Sequence, residues 1–283
     1  MDKTAVLALL KRGRLLSADL GAQLDPAAID GLTDGLVAAA AGDARVQLPL
    51  VASQVTVQDV TSFALHKFTG IRALLLPKLA PISIGNTLRS FGSVTLIGMV
   101  REPVPGGFVL EDPTGAIAVL AADRPDPRDV VGVRGQMREG KVLLQELIYP
   151  DLPLPTGDKP AATLLLTPTP LAQPGHQVAA GTGNLPGIAF VPRVPAWVQV
   201  AGAQLLIATG AGNPQGWLKK RHLPETITSA RDDYLIDRVP DILWVWAAEN
   251  KASIYKGVTI VQTDPRSWAR VENHTGTVTF GSI

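Results

Sequence analysis

No cysteine occurs among the 283 residues of the chain. Disulfide cross-links, thiolate catalysis and sulfur-ligated zinc sites are thereby excluded. Charge is also sparse. Asp, Glu, Lys and Arg make up 18% of the sequence, below the usual quarter or so, which suggests that part of the surface is covered by a partner. With 26 basic and 25 acidic residues the net charge is +1. That argues against a protein that coats nucleic acid through a global field, so any DNA contact is expected as a local patch. No apolar run reaches the 18 or so residues of a membrane-spanning helix. The start, Met1-Asp2-Lys3 followed by a mixed amphipathic run, does not read as a secretory signal. A soluble, cytoplasmic protein is expected, associated with the nucleoid or, in a eukaryotic source, nuclear. Two chemical signatures are missing as well. There is no phosphate cradle ending in Gly-Lys-Ser/Thr, and Gly181-Thr182-Gly183-Asn184 lacks the strand-to-helix setting of a nucleotide loop. There is no Gly-x-Ser-x-Gly elbow.

What is present is a burying chain, 46% hydrophobic and long enough for two cores. Residues 3–45 carry helical spacing, with Val6, Leu7, Leu9 and Leu10 followed by Lys11, Arg12 and Arg14 toward a helix end. The basic cluster reads as a solvated helix end or as a DNA contact. A connector over 51–92 contains a helical stretch from His66 to Leu75, stopped by Pro77 and Pro81. From Ser93 to Ile148 the period changes to two. Five strands are expected, Val94–Val100, Phe108–Glu111, Ala116–Ala121, Val130–Gln136 and Lys141–Ile148, turned by Pro105-Gly106-Gly107, Asp112-Pro113-Thr114-Gly115 and Arg138-Glu139-Gly140. The pattern suits a small closed barrel of the OB type, with a five-stranded sandwich as the alternative. After Pro155 composition shifts to Pro, Gly, Thr and Ala. Apolar strands at Thr163–Thr167, Ile188–Val191, Trp197–Val200, Gln204–Ala208, Leu243–Ala247 and Val258–Gln262 imply a mostly buried sheet with an eroded set of helices.

Several segments, in order, resemble the small subunit of archaeal family D DNA polymerases and, more distantly, the B-subunits of eukaryotic replicative polymerases. They are Ile97-Gly98-Met99-Val100, Glu111-Asp112-Pro113-Thr114-Gly115, Pro150-Asp151-Leu152-Pro153, Arg221-His222-Leu223-Pro224, Asp233-Tyr234-Leu235-Ile236-Asp237, Val239-Pro240-Asp241-Ile242 and Tyr255-Lys256-Gly257-Val258. The likeness spans roughly 55–283, and the first fifty residues match only in being helical. It implies a mixed α+β chain with four parts: a helical region over 1–50, the connector over 51–92, an OB domain over 93–150, and a calcineurin-like phosphoesterase domain over 151–283.

In that family the last domain is a two-metal exonuclease, whose chemistry needs a ring of Asp, Asn and His ligands. The corresponding positions here lack them. The first ligand strand, Thr163–Thr167, runs into Pro168-Thr169-Pro170. A later His-Gly becomes Thr209-Gly210. The closing His pair becomes Trp246-Ala247-Ala248-Glu249, leaving Glu249 as the one ligand type there. His66, His176, His222 and His274, and the acids Asp232, Asp233, Asp237, Asp241 and Asp264, show no ligand spacing. No metal, cofactor or catalytic residue is therefore expected. Arg101, Arg134, Arg138 and Lys141 are candidate nucleic-acid contacts on the barrel, or ordinary surface charge. Trp244 and Trp246, two apart on a strand and so on one face, are candidate partner contacts or core filling.

The resemblance implies a non-catalytic scaffold subunit that holds the large catalytic subunit of a replicative DNA polymerase, with DNA as part of the complex. No motif for direct contact with a sliding clamp is found. The alternatives are a free-standing single-strand nucleic-acid binder and a residual metal-dependent 3′–5′ exonuclease.

Overall fold

The computed structural model describes residues 45–49, 54–87, 92–171, 176–180, 188–191 and 193–283. The helices expected over 3–45 fall outside these residues but for Arg45, which opens strand β1 (Arg45–Gln47). The described residues are mixed α+β, mostly sheet with few helices, and the chain divides into two compact units. Among the described residues no helix is long and apolar enough to cross a membrane.

One unit joins Val51–Pro155 to Ala211–Val239. Its helix α1 (Val57–Leu75) starts at a capping box. Thr56 Oγ1 accepts from Asp59 N, and the Asp59 carboxylate accepts from Thr56 N at 2.8 Å. Pro77 lies in the single 3₁₀ turn that ends the helix, where its missing N–H is tolerated. The helix buries Phe63, Lys67, Phe68, Ile71 and Leu75, one stripe at helical spacing. Phe68, Ile71 and Leu75 cluster with Leu79, Ile97 and Val130.

Five strands follow: β2 (Gly92–Val104), β3 (Gly107–Asp112), β4 (Gly115–Leu120), β5 (Val130–Arg138) and β6 (Lys141–Ile148). They close into a ring in the order β2-β3-β4-β6-β5, antiparallel except where β4 meets β6. Closure excludes the five-stranded sandwich that the sequence pattern had left open. Leu96, Phe108, Leu110, Val119, Val133 and Val142 fill the interior. Gly107 permits one close approach, because a Cβ there would stand 1.8 Å from the Val119 carbonyl oxygen. The β3–β4 turn is held by Asp112. Its Oδ1 accepts from Thr114 N and Gly115 N, and its Oδ2 accepts from Ile84 N of the short helix α2 (Ile84–Thr87). The returning segment carries helix α3 (Pro214–Lys220), capped by Asn213, with Pro214 at the position that needs no N–H donor.

The other unit takes β1, Thr156–Gly210 and Pro240–Ile283. Eight of its strands are β7 (Thr163–Thr167), β8 (His176–Ala180), β9 (Ile188–Val191), β10 (Ala196–Val200), β11 (Ala203–Thr209), β12 (Ile242–Trp246), β13 (Lys251–Tyr255) and β14 (Val258–Thr263). The last two are β15 (Ser267–Glu272) and β16 (Thr277–Ser282). They form a six-stranded sheet, β1-β10-β11-β12-β14-β13, and a five-stranded sheet, β16-β15-β7-β8-β9. Each has a run of three parallel strands, β11-β12-β14 inside the first sheet and β7-β8-β9 ending at an edge of the second. Parallel strands are covered on both faces and read as unbroken apolar runs, as Leu205-Leu206-Ile207-Ala208 does. Both sheets feed one core, in which Leu164, Leu166 and Val178 meet Leu205, Ile207 and Trp244.

Candidate functional site

Strands β11, β12 and β14 end side by side at Thr209, Trp246 and Thr263, while β7 ends at Thr167 beside Ala179 of β8. The carboxyl ends of parallel strands are where open α/β sheets place ligands. Here the first turn after β7 is closed by the chain itself, since the buried Thr167 Oγ1 donates to Thr169 O at 2.5 Å. After β12, Ala247 N donates to Thr263 O at 2.9 Å. Trp244, one residue pair further in, is 0% exposed, and its Nε1 donates to Thr263 Oγ1 at 2.8 Å. It belongs to the core, which corrects its candidacy as a partner contact. Trp246 is half-buried against the same core and meets the Trp244 ring edge-on at 6.0 Å. Its buried Nε1 finds no acceptor among the described residues.

The single histidines are not gathered. His66 is exposed on α1, His176 opens β8, His222 lies in the returning segment, and His274 is exposed in the β15–β16 turn. Glu249 is exposed in the loop before β13. Among the described residues no group of three or more acidic or histidine side chains is placed to hold a metal ion. Asp241 instead ties strands together. Its Oδ2 accepts from Gln204 N, and its carbonyl accepts from Thr259 N and from Lys159 Nζ. Burial pushes the Lys159 ammonium below the ordinary lysine range, partly opposed by Asp241. Asp264 is held below the usual carboxylate range by the Ser267 hydroxyl and the Arg266 N–H.

The four basic residues of the ring do not form one patch. Arg138 and Lys141 face each other across the β5–β6 turn, where Glu139 and Gly140 take positive φ. Arg134 lies on the same strand as Arg138 but is bound to Glu146 at 2.6 Å. Arg101 pairs with Glu102 at 3.3 Å, six residues along β2 from Thr95, the partner of Arg134. Six strand residues span about 20 Å. The single aromatic side chain of these strands, Phe108, is buried inside the ring.

The densest polar constellation was not legible in the sequence as a site. Lys67 of α1 is buried and donates to Glu225 Oε2 at 2.8 Å, and Arg128 meets Glu225 Oε1 at 2.7 Å. His222 Nε2 lies 3.0 Å from Asp232 Oδ2 and 3.6 Å from Glu225. Asp232 also accepts from Tyr234 N, and Tyr234 meets Phe63 edge-on. Alongside, Lys220 binds Asp126 at 2.5 Å and Asp129 at 2.9 Å. Burial pushes the Asp129 carboxyl up, against the pull of Lys220. Burial would lower Lys220, but its bonds to the two aspartates outweigh this and hold it above the ordinary lysine range. Burial, reinforced by Asp129, raises the Tyr149 phenol, whose ring lies 4.7 Å beneath the Lys219 ammonium. These contacts fasten Ala211–Val239 to α1 and to the residues just before β5.

No protein-family model matches the sequence, and no curated protein matches it significantly.

Proposed function

We propose that the protein is a non-catalytic scaffold subunit of a replicative DNA polymerase of the family D kind, holding the large catalytic subunit. The observation that carries the reading is architectural. A closed ring in the order β2-β3-β4-β6-β5, numbered from its own first strand, runs one-two-three-five-four, which supports the OB reading of these strands. In the chain it leads into a two-sheet sandwich with three parallel strands in each sheet, which suits a phosphoesterase-like domain. At the strand ends of that sandwich stand Thr167-Pro168, Thr209-Gly210 and Trp246-Ala247, and the Trp246 ring packs edge-on against Trp244. On this reading the domain serves as a structural body. The single-strand binder is less well supported, because stacking on exposed aromatics carries such binding and Phe108 is turned inward.

Expression in the native host with an affinity tag tests the proposal. A large polymerase polypeptide is expected to co-purify stoichiometrically and to survive high-salt washing. Recovery of the protein alone, with salt-sensitive oligonucleotide binding that is lost in the Arg138→Ala/Lys141→Ala variant, would favour the nucleic-acid binder. Manganese-dependent nuclease activity abolished by Glu249→Ala would establish the exonuclease instead.

A further inference from the structure

A cleft of about 310 Å³ opens beside α1 in the unit that contains the ring. One wall is the helix itself, through Leu65, Phe68 and Arg72. The other is the Pro81–Ser83 segment and the Asp112-Pro113-Thr114 turn, with Ile97 of β2 between them. Its rim is apolar and uncovered, with Leu65 56% and Ile82 40% exposed. The apolar surface also runs past the cleft. Val57, Thr61, Leu65, Phe68 and Arg72 recur at four, four, three and four residues and so share one helix stripe. Val57 at its start is 85% exposed. From Val57 to Arg72 that stripe is about 22 Å long at 1.5 Å per residue.

The cleft holds one charge of each sign, and they are not equally available. Arg72 is exposed and meets no acidic side chain among the described residues. The one carboxylate lining it, Asp112, spends both oxygens on backbone donors and the Thr114 hydroxyl. Those bonds, with that from Gly85 N to Thr114 Oγ1, also fix the far wall, so a guest would find it already shaped.

We propose that this cleft and the α1 stripe dock an amphipathic acidic helix of a partner polypeptide, its apolar face against Leu65 and Ile82 and a carboxylate on Arg72. The length of the stripe selects a peptide over a small molecule, and the unpaired guanidinium selects an acidic one. The inference stands on the cleft alone and does not require the partner to be a polymerase.

Selection of random 16-residue peptides displayed on phage, with the full chain as bait, tests it. Enriched peptides are expected to share apolar residues at i, i+3/i+4 and i+7 with an Asp or Glu among them. A synthetic copy should bind Leu65→Glu and Arg72→Glu at least tenfold more weakly, and replacing its acid with Lys should restore binding to Arg72→Glu. Both positions are exposed, so circular dichroism and the melting temperature should stay those of the parent. Failure to enrich such peptides, equal binding to Leu65→Glu, or no charge-swap rescue overturns the proposal. So does competition by decanoate that empties the cleft of peptide, or sedimentation showing a dimer of this chain that Leu65→Glu dissolves. Retention of a large polymerase subunit by Leu65→Glu would leave the subunit reading intact while placing that subunit elsewhere.

Discussion

Replacing Trp244 by alanine removes a fully buried indole from the middle of the sandwich core and leaves Thr263 Oγ1 without its donor. Such truncations cost about 3–5 kcal/mol, which a urea titration followed by circular dichroism would read as a large drop in midpoint. Trp246→Ala should cost clearly less, since that ring is half-buried and its N–H has no acceptor to lose among the described residues. The order of the two effects is the check, and equal losses would mean that Trp246 is as much core as Trp244. At this scale the sequence told that both indoles face one way, because residues two apart on a strand must. It did not tell whether that face was covered. Coverage depends on Leu164, Leu166 and Val178, which arrive from the opposite sheet and lie more than sixty residues away in the chain.

Among elements, the ion-pair cluster that fastens the returning segment makes the sharpest forecasts. Glu225→Ala strands a buried lysine and leaves Arg128 and His222 short of an acceptor. Breaking a buried pair from one side costs on the order of 3–5 kcal/mol, whereas removing both partners costs less. Lys67→Met combined with Glu225→Leu should therefore recover part of the stability lost in the single variant, as a denaturation cycle would measure. Gly107→Ala should be worse than an ordinary strand glycine change. Its Cβ would meet backbone, the Val119 carbonyl, which cannot swing aside.

The pairing of Lys220 with Asp126 and Asp129 sets a pH dependence. Its folded value lies above the ordinary one, so its contribution is complete below the ordinary lysine pKa and fades as pH rises through the folded value. Tyr149, also raised, titrates in the same direction. Lys220→Met separates them: its urea midpoint should fall less than the parent's between neutral and strongly alkaline pH. Ring strands were readable as alternating patterns with Asp-Pro-Thr-Gly and Glu-Gly turns between them. β8, β13, β15 and β16 do not stand out in the sequence. Ser267, Thr277, Thr279 and Lys251 dilute their apolar content, and an edge strand such as β13 or β16 needs only one neighbour. The first half of α1 does not stand out either, because Val57, Thr61 and Leu65 lie off the buried stripe.

For the whole molecule, the linear blocks that the resemblance implies differ from the compact units, because Ala211–Val239 leaves the sandwich strand β11 and returns only at β12. Nothing local announces this. The residues that bring the segment back are Glu225 and Lys220, single polar letters whose partners are Lys67 of α1 and Arg128, Asp126 and Asp129 just before β5. A fragment covering 51–155 should consequently be much less protected from amide hydrogen exchange than the same residues in the intact chain. It retains buried Lys67 but loses the carboxylate that neutralises it. Protection equal to that of the parent would show that the returning segment contributes little.

The interleaving has a kinetic consequence on the ribosome. Neighbouring strands β11 and β12 are separated by a thirty-two-residue excursion from Gly210 to Asp241, so their pairing must wait until Ile242 has been synthesised. The ring, in turn, lacks its clasp until Lys220 and Glu225 have emerged. The ring unit is complete once Val239 has been made while the sandwich still waits for its later strands, so a nascent chain arrested before Glu225 would offer both to proteases at once.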